Sequence, residues 1–165
     1  MKRVLYVVLA VCLCGFLGAL IRTNSRAPQI AGVAAIQEID TQNILAVSMD
    51  KNTIRNPLIG KGTAQFYRFY RFHNKTEKPI EVSWHAWLEI FIDGVWYQLA
   101  TPEATADIDL EPIWRIYPGG VHEYPGDYLS SYRSQLRPGK YRRVWPAFYA
   151  SDEAPFYVAV EFIVK

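Results

Sequence analysis

The stretch Glu81-Val82-Ser83-Trp84-His85-Ala86-Trp87-Leu88-Glu89-Ile90-Phe91-Ile92-Asp93-Gly94-Val95-Trp96-Tyr97-Gln98-Leu99 decides the fold. Val82, Trp84, Ala86, Leu88, Ile90 and Ile92 share one parity and are all apolar. Glu81, Ser83, His85, Trp87, Glu89, Phe91 and Asp93 share the other, which is polar with two aromatics. A period of two is the spacing of a strand, so the first set is expected to face a core and the second water or a partner. Asp93-Gly94 is the pair a two-residue hairpin turn prefers, because both of its central positions take positive φ. Val95 to Leu99 then returns as the second strand.

The signal stays β on both sides. Ile44–Met49 is a short apolar run, and Asp50–Gly62 supplies turn residues, among them Asn56-Pro57. Gln65–His73 is dense in Phe and Tyr. Arg68 and Arg71 fall on opposite parities there, which asks for a bulge or for a face covered by a second sheet. Asn74–Pro79 is a turn. Ile113–Tyr117 is a short strand closed by Pro118-Gly119-Gly120, and Val121–Tyr124 is another. Lys140–Tyr149 is interrupted by Pro146, which predicts an edge or a bulge. Phe156–Val164 closes the chain, with Phe156, Val158, Val160 and Phe162 on one parity. About seven strands at this spacing, without helical periodicity, predict an all-β Greek-key sandwich of Ig-like or fibronectin-like type. Leu136-Arg137-Pro138-Gly139-Lys140-Tyr141 has the form of a tyrosine corner, in which Tyr141 bonds back to the loop before its own strand.

The N-terminus reads differently. Met1-Lys2-Arg3 is basic, and Val4–Ile21 runs 18 residues without a charge. As a helix it is about 27 Å long, close to the thickness of a bilayer core. Lys2 and Arg3 favour an inside N-terminus, so the remainder is expected outside. Residues 1–21 are thus read as a signal anchor. A lipoprotein acylated at Cys12 and a signal cleaved near Gly18-Ala19 are the alternatives, and a buried helix of a cytosolic protein would need a polar face that this segment lacks. Val11 suits a lipobox poorly. Residues 22–43 read as a flexible tether, and 44–165 as the domain.

Composition agrees with this division. Half of the 165 residues are apolar and 15% aromatic. The 44–165 part, roughly 120 residues, suffices for one core. The basic residues Lys2, Arg3, Arg22 and Arg26 flank the apolar segment. The remainder carries 14 basic against 16 acidic residues. That slight acidity argues against nucleic acid as a partner. Both cysteines, Cys12 and Cys14, lie in the apolar segment, so the domain has no disulfide.

In order, Asn74-Lys75-Thr76, Asp93-Gly94-Val95-Trp96-Tyr97, Tyr117-Pro118-Gly119-Gly120 and Leu136-Arg137-Pro138-Gly139-Lys140-Tyr141-Arg142, with the final strand, resemble a bacterial Ig-like domain of small exported proteins of Gram-positive bacteria. That fold is similar to the intracellular proteinase inhibitor family of bacilli. The resemblance spans about residues 44–165. It implies a β-sandwich, export and membrane attachment, and no agreed ligand.

No catalytic set stands out. His73, His85 and His122 are isolated, no Gly-x-Ser-x-Gly elbow occurs, and the exported part has no thiol. Neither metal nor cofactor is expected, and the chain is read as a non-enzyme. Glu103, Asp107, Asp109 and Glu111 could offer oxygens to Ca²⁺ but lack a calcium-loop pattern and read as a solvated loop. Arg133, Arg137, Lys140, Arg142 and Arg143 read as a solvated edge, or as a surface for anionic headgroups or wall polymers. Trp87, Phe91 and Trp96, on the outer parity, are candidate contacts with a partner, as are Arg142 and Arg143. The expected partners are the membrane, through residues 4–21, and another envelope protein or a wall component. Proteinase inhibition through 100–112 or 124–138, and carbohydrate binding through Trp87 and Trp96, are the alternatives.

Overall fold

The computed structural model describes residues 28, 30–33, 39, 43–55, 68–100, 113–126, 129, 132, 136–150 and 154–165. The apolar segment 4–21 with Cys12, and the acidic loop with Glu103, Asp107, Asp109 and Glu111, lie outside them. The described residues form eleven strands: β1 Ile30–Val33, β2 Leu45–Met49, β3 Thr53–Ile54, β4 Arg68–Asn74, β5 Ile80–Ser83, β6 Trp87–Ile92, β7 Val95–Leu99, β8 Ile113–Ile116, β9 Val121–Gly126, β10 Gly139–Tyr149 and β11 Phe156–Val164. The fold is all-β and broadly of the sandwich type. A curled eight-stranded sheet runs β1-β7-β6-β10-β11-β3, with β5 joining β10 and β8 joining β5. A three-stranded sheet, β2-β4-β9, packs against it. All pairings are antiparallel except β3 with β11.

The hairpin between β6 and β7 turns at Asp93 and Gly94, with φ of 49° and 86°. Those left-handed angles are what an Asp-Gly pair tolerates and bulkier pairs resist. The stretch before it departs from a single alternating strand. Val82 pairs with Ala147 and Trp87 with Val144, so residues 83–86 stand opposite only Trp145 and Pro146. The excess is taken up by a tight turn in which the Ala86 N–H donates to the Trp84 carbonyl at 2.6 Å. The Ser83 hydroxyl accepts from the His85 N–H. One strand thereby becomes β5 and β6.

This break also accounts for Pro146. Its strand is no edge: β10 pairs with β11 along its length and with β6 and β5 on the other side. Pro146 stands at the gap between β6 and β5, where no ladder bond is required on that side.

β4 alternates without a bulge. Arg68, Tyr70, Phe72 and Asn74 point inward and are buried, while Phe69 and Arg71 are exposed. The break in the pattern seen in the sequence is therefore a buried arginine. Among the described residues the core has two clusters. One packs Leu88, Ile90, Leu99, Tyr141 and Phe162 against Leu129, Tyr132, Leu136 and Ile54. The other packs Tyr70, Phe72 and Tyr124 of the smaller sheet against Ile80, Val82, Trp145 and Val158. Trp145 is fully buried there, edge-on to Tyr70 at 5.0 Å and to Phe72 at 5.2 Å.

Buried Asn74 joins three segments. Its Nδ2 donates to the carbonyls of Lys78 and Ile116 at 2.8 and 2.9 Å. Its Oδ1 accepts from the Thr76 N–H and hydroxyl. Its backbone bonds Gly119 and Gly120. One side chain thus fixes the turn before β5, the end of β8 and the β8–β9 turn.

β1 lies within the stretch read from sequence as tether. Four small or aliphatic residues give too short a pattern to separate a strand from a spacer. In the fold they pair with β7, Ile30 opposite Leu99 and Gly32 opposite Gln98, with one irregularity between them.

Candidate functional site

The outer face of the larger sheet is ordered in rows that cross its strands. Trp96, Phe91, Lys140 and Ile163 form the first, from β7 to β11. Gln98, Glu89, Arg142 and Glu161 form the second, and Trp87, Val144 and Ala159 a third. The register of β6, β7, β10 and β11 places them, because side chains directly opposite share a face.

The second row contains an ion pair. Arg142 Nε donates to Glu89 Oε2 at 2.5 Å, and both side chains are almost wholly buried. The other carboxylate oxygen, Glu89 Oε1, accepts from Trp87 Nε1 at 2.7 Å. Arg142 also lies over the Trp96 ring, 4.4 Å from its centroid. Each charge therefore meets an opposite charge or a π face, which offsets part of the cost of leaving water. Glu89 is on the parity expected to face water or a partner. Rings on its own face cover it instead.

The aromatic rings continue outward from this pair. Trp87 meets Tyr157 edge-on at 5.9 Å. Phe91 packs on Trp96 at 4.9 Å, and the Lys140 ammonium sits 5.3 Å from the Phe91 centroid while it pairs with Glu161 at 2.8 Å. Phe91 is 37% exposed, whereas Trp96 is only 9% exposed; Ile163 is also exposed, on the far side of Lys140 in the same row. The structure thus brings Trp87, Phe91, Trp96 and Arg142 together on one face.

Arg143 is not with them. It has the opposite parity, is buried, and lies between Tyr70 and Trp145 at 5.0 Å from each ring centroid. Its Nη1 reaches the Tyr70 hydroxyl at 3.3 Å. The reading of Arg142 and Arg143 as a solvated edge is corrected on both counts, because β10 is an interior strand with both faces covered. Of the other basic residues in that run, Lys140 is exposed and Arg133 lies outside the described residues.

The Tyr141 hydroxyl accepts from the Arg137 N–H at 2.8 Å and donates to the Arg137 carbonyl at 2.9 Å. Burial pushes this phenol above its ordinary value, against a smaller lowering by the Arg137 backbone and charge.

Two other features were not singled out from sequence. Trp84, Trp114 and Tyr124 pack together at 4.4 to 5.3 Å where the two sheets meet, with His122 5.0 Å from Trp114. Desolvation lowers the His122 pKa. On the smaller sheet a shallow cleft of about 390 Å³ is lined by Ser48, Met49, Asp50, Phe69, Tyr70, Arg71 and Glu123. Its Arg71–Glu123 ion pair is exposed. Among the described residues, no group of three or more His, Cys, Asp or Glu is placed to hold a metal ion.

No protein-family model matches the chain, and no curated protein matches it. Among solved structures it is similar to a putative ApaA protein from Bordetella pertussis. The identity is 18% over 72% of this chain and 89% of that one, with a TM-score of 0.38. It is also similar to the cupredoxin domain of amoB from Nitrosocaldus yellowstonii. There the identity is 12% over 74% and 88% of the two chains, with a TM-score of 0.30. Likenesses this loose leave the site to be argued from its own residues.

Proposed function

We propose that this chain is a non-catalytic binding module of the cell envelope. Residues 4–21 hold it on the outer side of the membrane, and the outer face of its larger sheet is the contact surface. One observation carries the reading: Phe91 is exposed at the centre of a face whose neighbouring rings are already immobilised. The Arg142–Glu89 pair fixes Trp87 and Trp96, and Trp96 in turn supports Phe91. Anchors held in place before contact lose little conformational freedom when a partner docks. Phe91 packed on Trp96, with the Lys140–Glu161 pair directly beside it, fits an apolar anchor edged by polar groups at a protein interface. The partner is accordingly another envelope protein.

The Tyr141 hydroxyl on the Arg137 backbone has the form of a tyrosine corner, which favours a Greek-key sandwich. Among the alternatives, a carbohydrate site would need broad exposed rings, and Trp96 is mostly covered. Of the two segments on which inhibition would rest, 100–112 is outside the described residues except Ala100, and 124–138 is described at 124–126, 129, 132 and 136–138, where Leu129, Tyr132 and Leu136 are buried in the core.

The test is chemical cross-linking of the full-length protein on intact cells, followed by recovery from the membrane fraction. One envelope protein is expected with the native chain and not with Phe91→Asp, while Phe69→Asp, on the other sheet, retains it. Equal recovery with all three chains would refute the assignment of the face.

A further inference from the structure

The strand β1 changes how far the domain can stand from the membrane. Read as a continuous spacer, residues 22–43 would span up to about 79 Å when extended. With Ile30–Val33 paired to β7, the link between Ile21 and the folded domain shrinks to eight residues, 22–29. Eight residues reach about 29 Å at most. In the anchored reading, the β1 edge is thereby held within that distance of the bilayer.

That edge is short and irregular between Ile30 and Gly32, but it lacks the polar part of the usual protection. Edge strands usually carry charges, prolines or bulges that discourage further pairing. β1 reads Ile-Ala-Gly-Val, with no charge and no proline. It ends the strand order of the larger sheet, so one side has no strand neighbour among the described residues. Ile30 is 46% exposed, and the space around Gly32 is open. Uncharged backbone and a free aliphatic side chain suit the interfacial layer of a bilayer, where water and lipid carbonyls satisfy polar groups and apolar side chains can enter. Arg22 and Arg26 in the link add attraction to anionic headgroups.

We propose that the β1 edge of the larger sheet rests on the lipid surface, with Ile30 in the headgroup layer. This depends on the anchored reading above. The outer face with Phe91 then stands close to the bilayer, about two strand spacings from the edge, and addresses partners at the membrane surface rather than deep in the envelope.

The experiment uses full-length protein in vesicles of phosphatidylcholine and phosphatidylglycerol, in a Cys12→Ser, Cys14→Ser background. Environment-sensitive dyes are placed singly at Ile30→Cys, at Gly32→Cys, and at Val121→Cys on the smaller sheet, where Val121 is 54% exposed. The quencher is a headgroup-labelled lipid. Most of the fluorescence is expected to be lost at positions 30 and 32 and little at 121. A Gly-Ser insert as long as the link, placed within 22–29, should abolish that difference, and the same insert within 34–42 should leave it. An unaltered tryptophan spectrum in each variant checks the fold. Equal quenching at all three positions, with the protein retained through an alkaline wash, would overturn the proposal and leave the anchor standing. Release of both wild type and background in that wash would overturn the anchor itself. Disulfide-linked dimers through Ile30→Cys with weak quenching would overturn it in favour of a second copy on the edge.

Discussion

Glu89 and Arg142 form a buried ion pair on the face of the larger sheet that points away from the core, Oε2 to Nε at 2.5 Å. A dry charge pair on an outer sheet face needs its own cover, and Trp87 and Trp96 supply it. The pair and the two rings act as one unit, which places Phe91.

Removing one charge leaves the other buried without its counter-ion. Glu89→Ala and Arg142→Ala are each expected to cost about 3–5 kcal/mol. The double change Glu89→Met, Arg142→Leu should cost much less than the two singles together, since no buried charge remains. Chemical denaturation followed by tryptophan fluorescence measures all three. Additive losses would show that the two side chains do not act as a pair.

Asn74→Ala removes the donor from two carbonyls and the acceptor from Thr76 at once. The expected loss is about 2–4 kcal/mol. Asn74→Asp should cost a similar amount, because a carboxylate facing the Lys78 and Ile116 carbonyls repels them. Denaturation midpoints decide this, and an unchanged midpoint in either variant would contradict the joint drawn here.

The Tyr141 phenol has a folded pKa above its unfolded value near 10, because burial disfavours the phenolate. Its contribution is complete below about pH 10 and is lost as pH rises through the folded value. Tyr141→Phe is expected to be less stable by about 1–2 kcal/mol near neutrality. It should also show a shallower decline on the alkaline side. Stability measured from pH 8 upward tests both, and parallel alkaline slopes in the two proteins would refute the linkage.

Much of the inner architecture was legible in local pattern. The alternation around Leu88 and Ile90, the Asp93-Gly94 turn and the inward parity of Val158 and Phe162 follow from period and turn chemistry alone. The pairing of strands was not. Whether Glu89 meets water or Arg142 depends on the register of β6 against β10, and a single sequence carries no register. For the same reason Pro146 left an edge and a bulge both open; the irregularity opposite it is set by the turn at Trp84–Ala86 in another strand. Arg143 was misplaced because a basic pair in sequence suggests a basic surface, while adjacent strand residues point to opposite faces. β1 escaped notice because four residues without polar alternation are indistinguishable from a spacer.

The most direct test of the account is a photo-crosslinking amino acid at Phe91 in the full-length protein, in living cells. The control position is Tyr117, which is 65% exposed in the turn after β8. The account predicts one discrete adduct with an envelope protein from position 91, none from 117, and loss of the adduct when Glu89→Ala releases Trp87. The same adducts from both positions, or none from position 91 in a folded, membrane-bound protein, would contradict it.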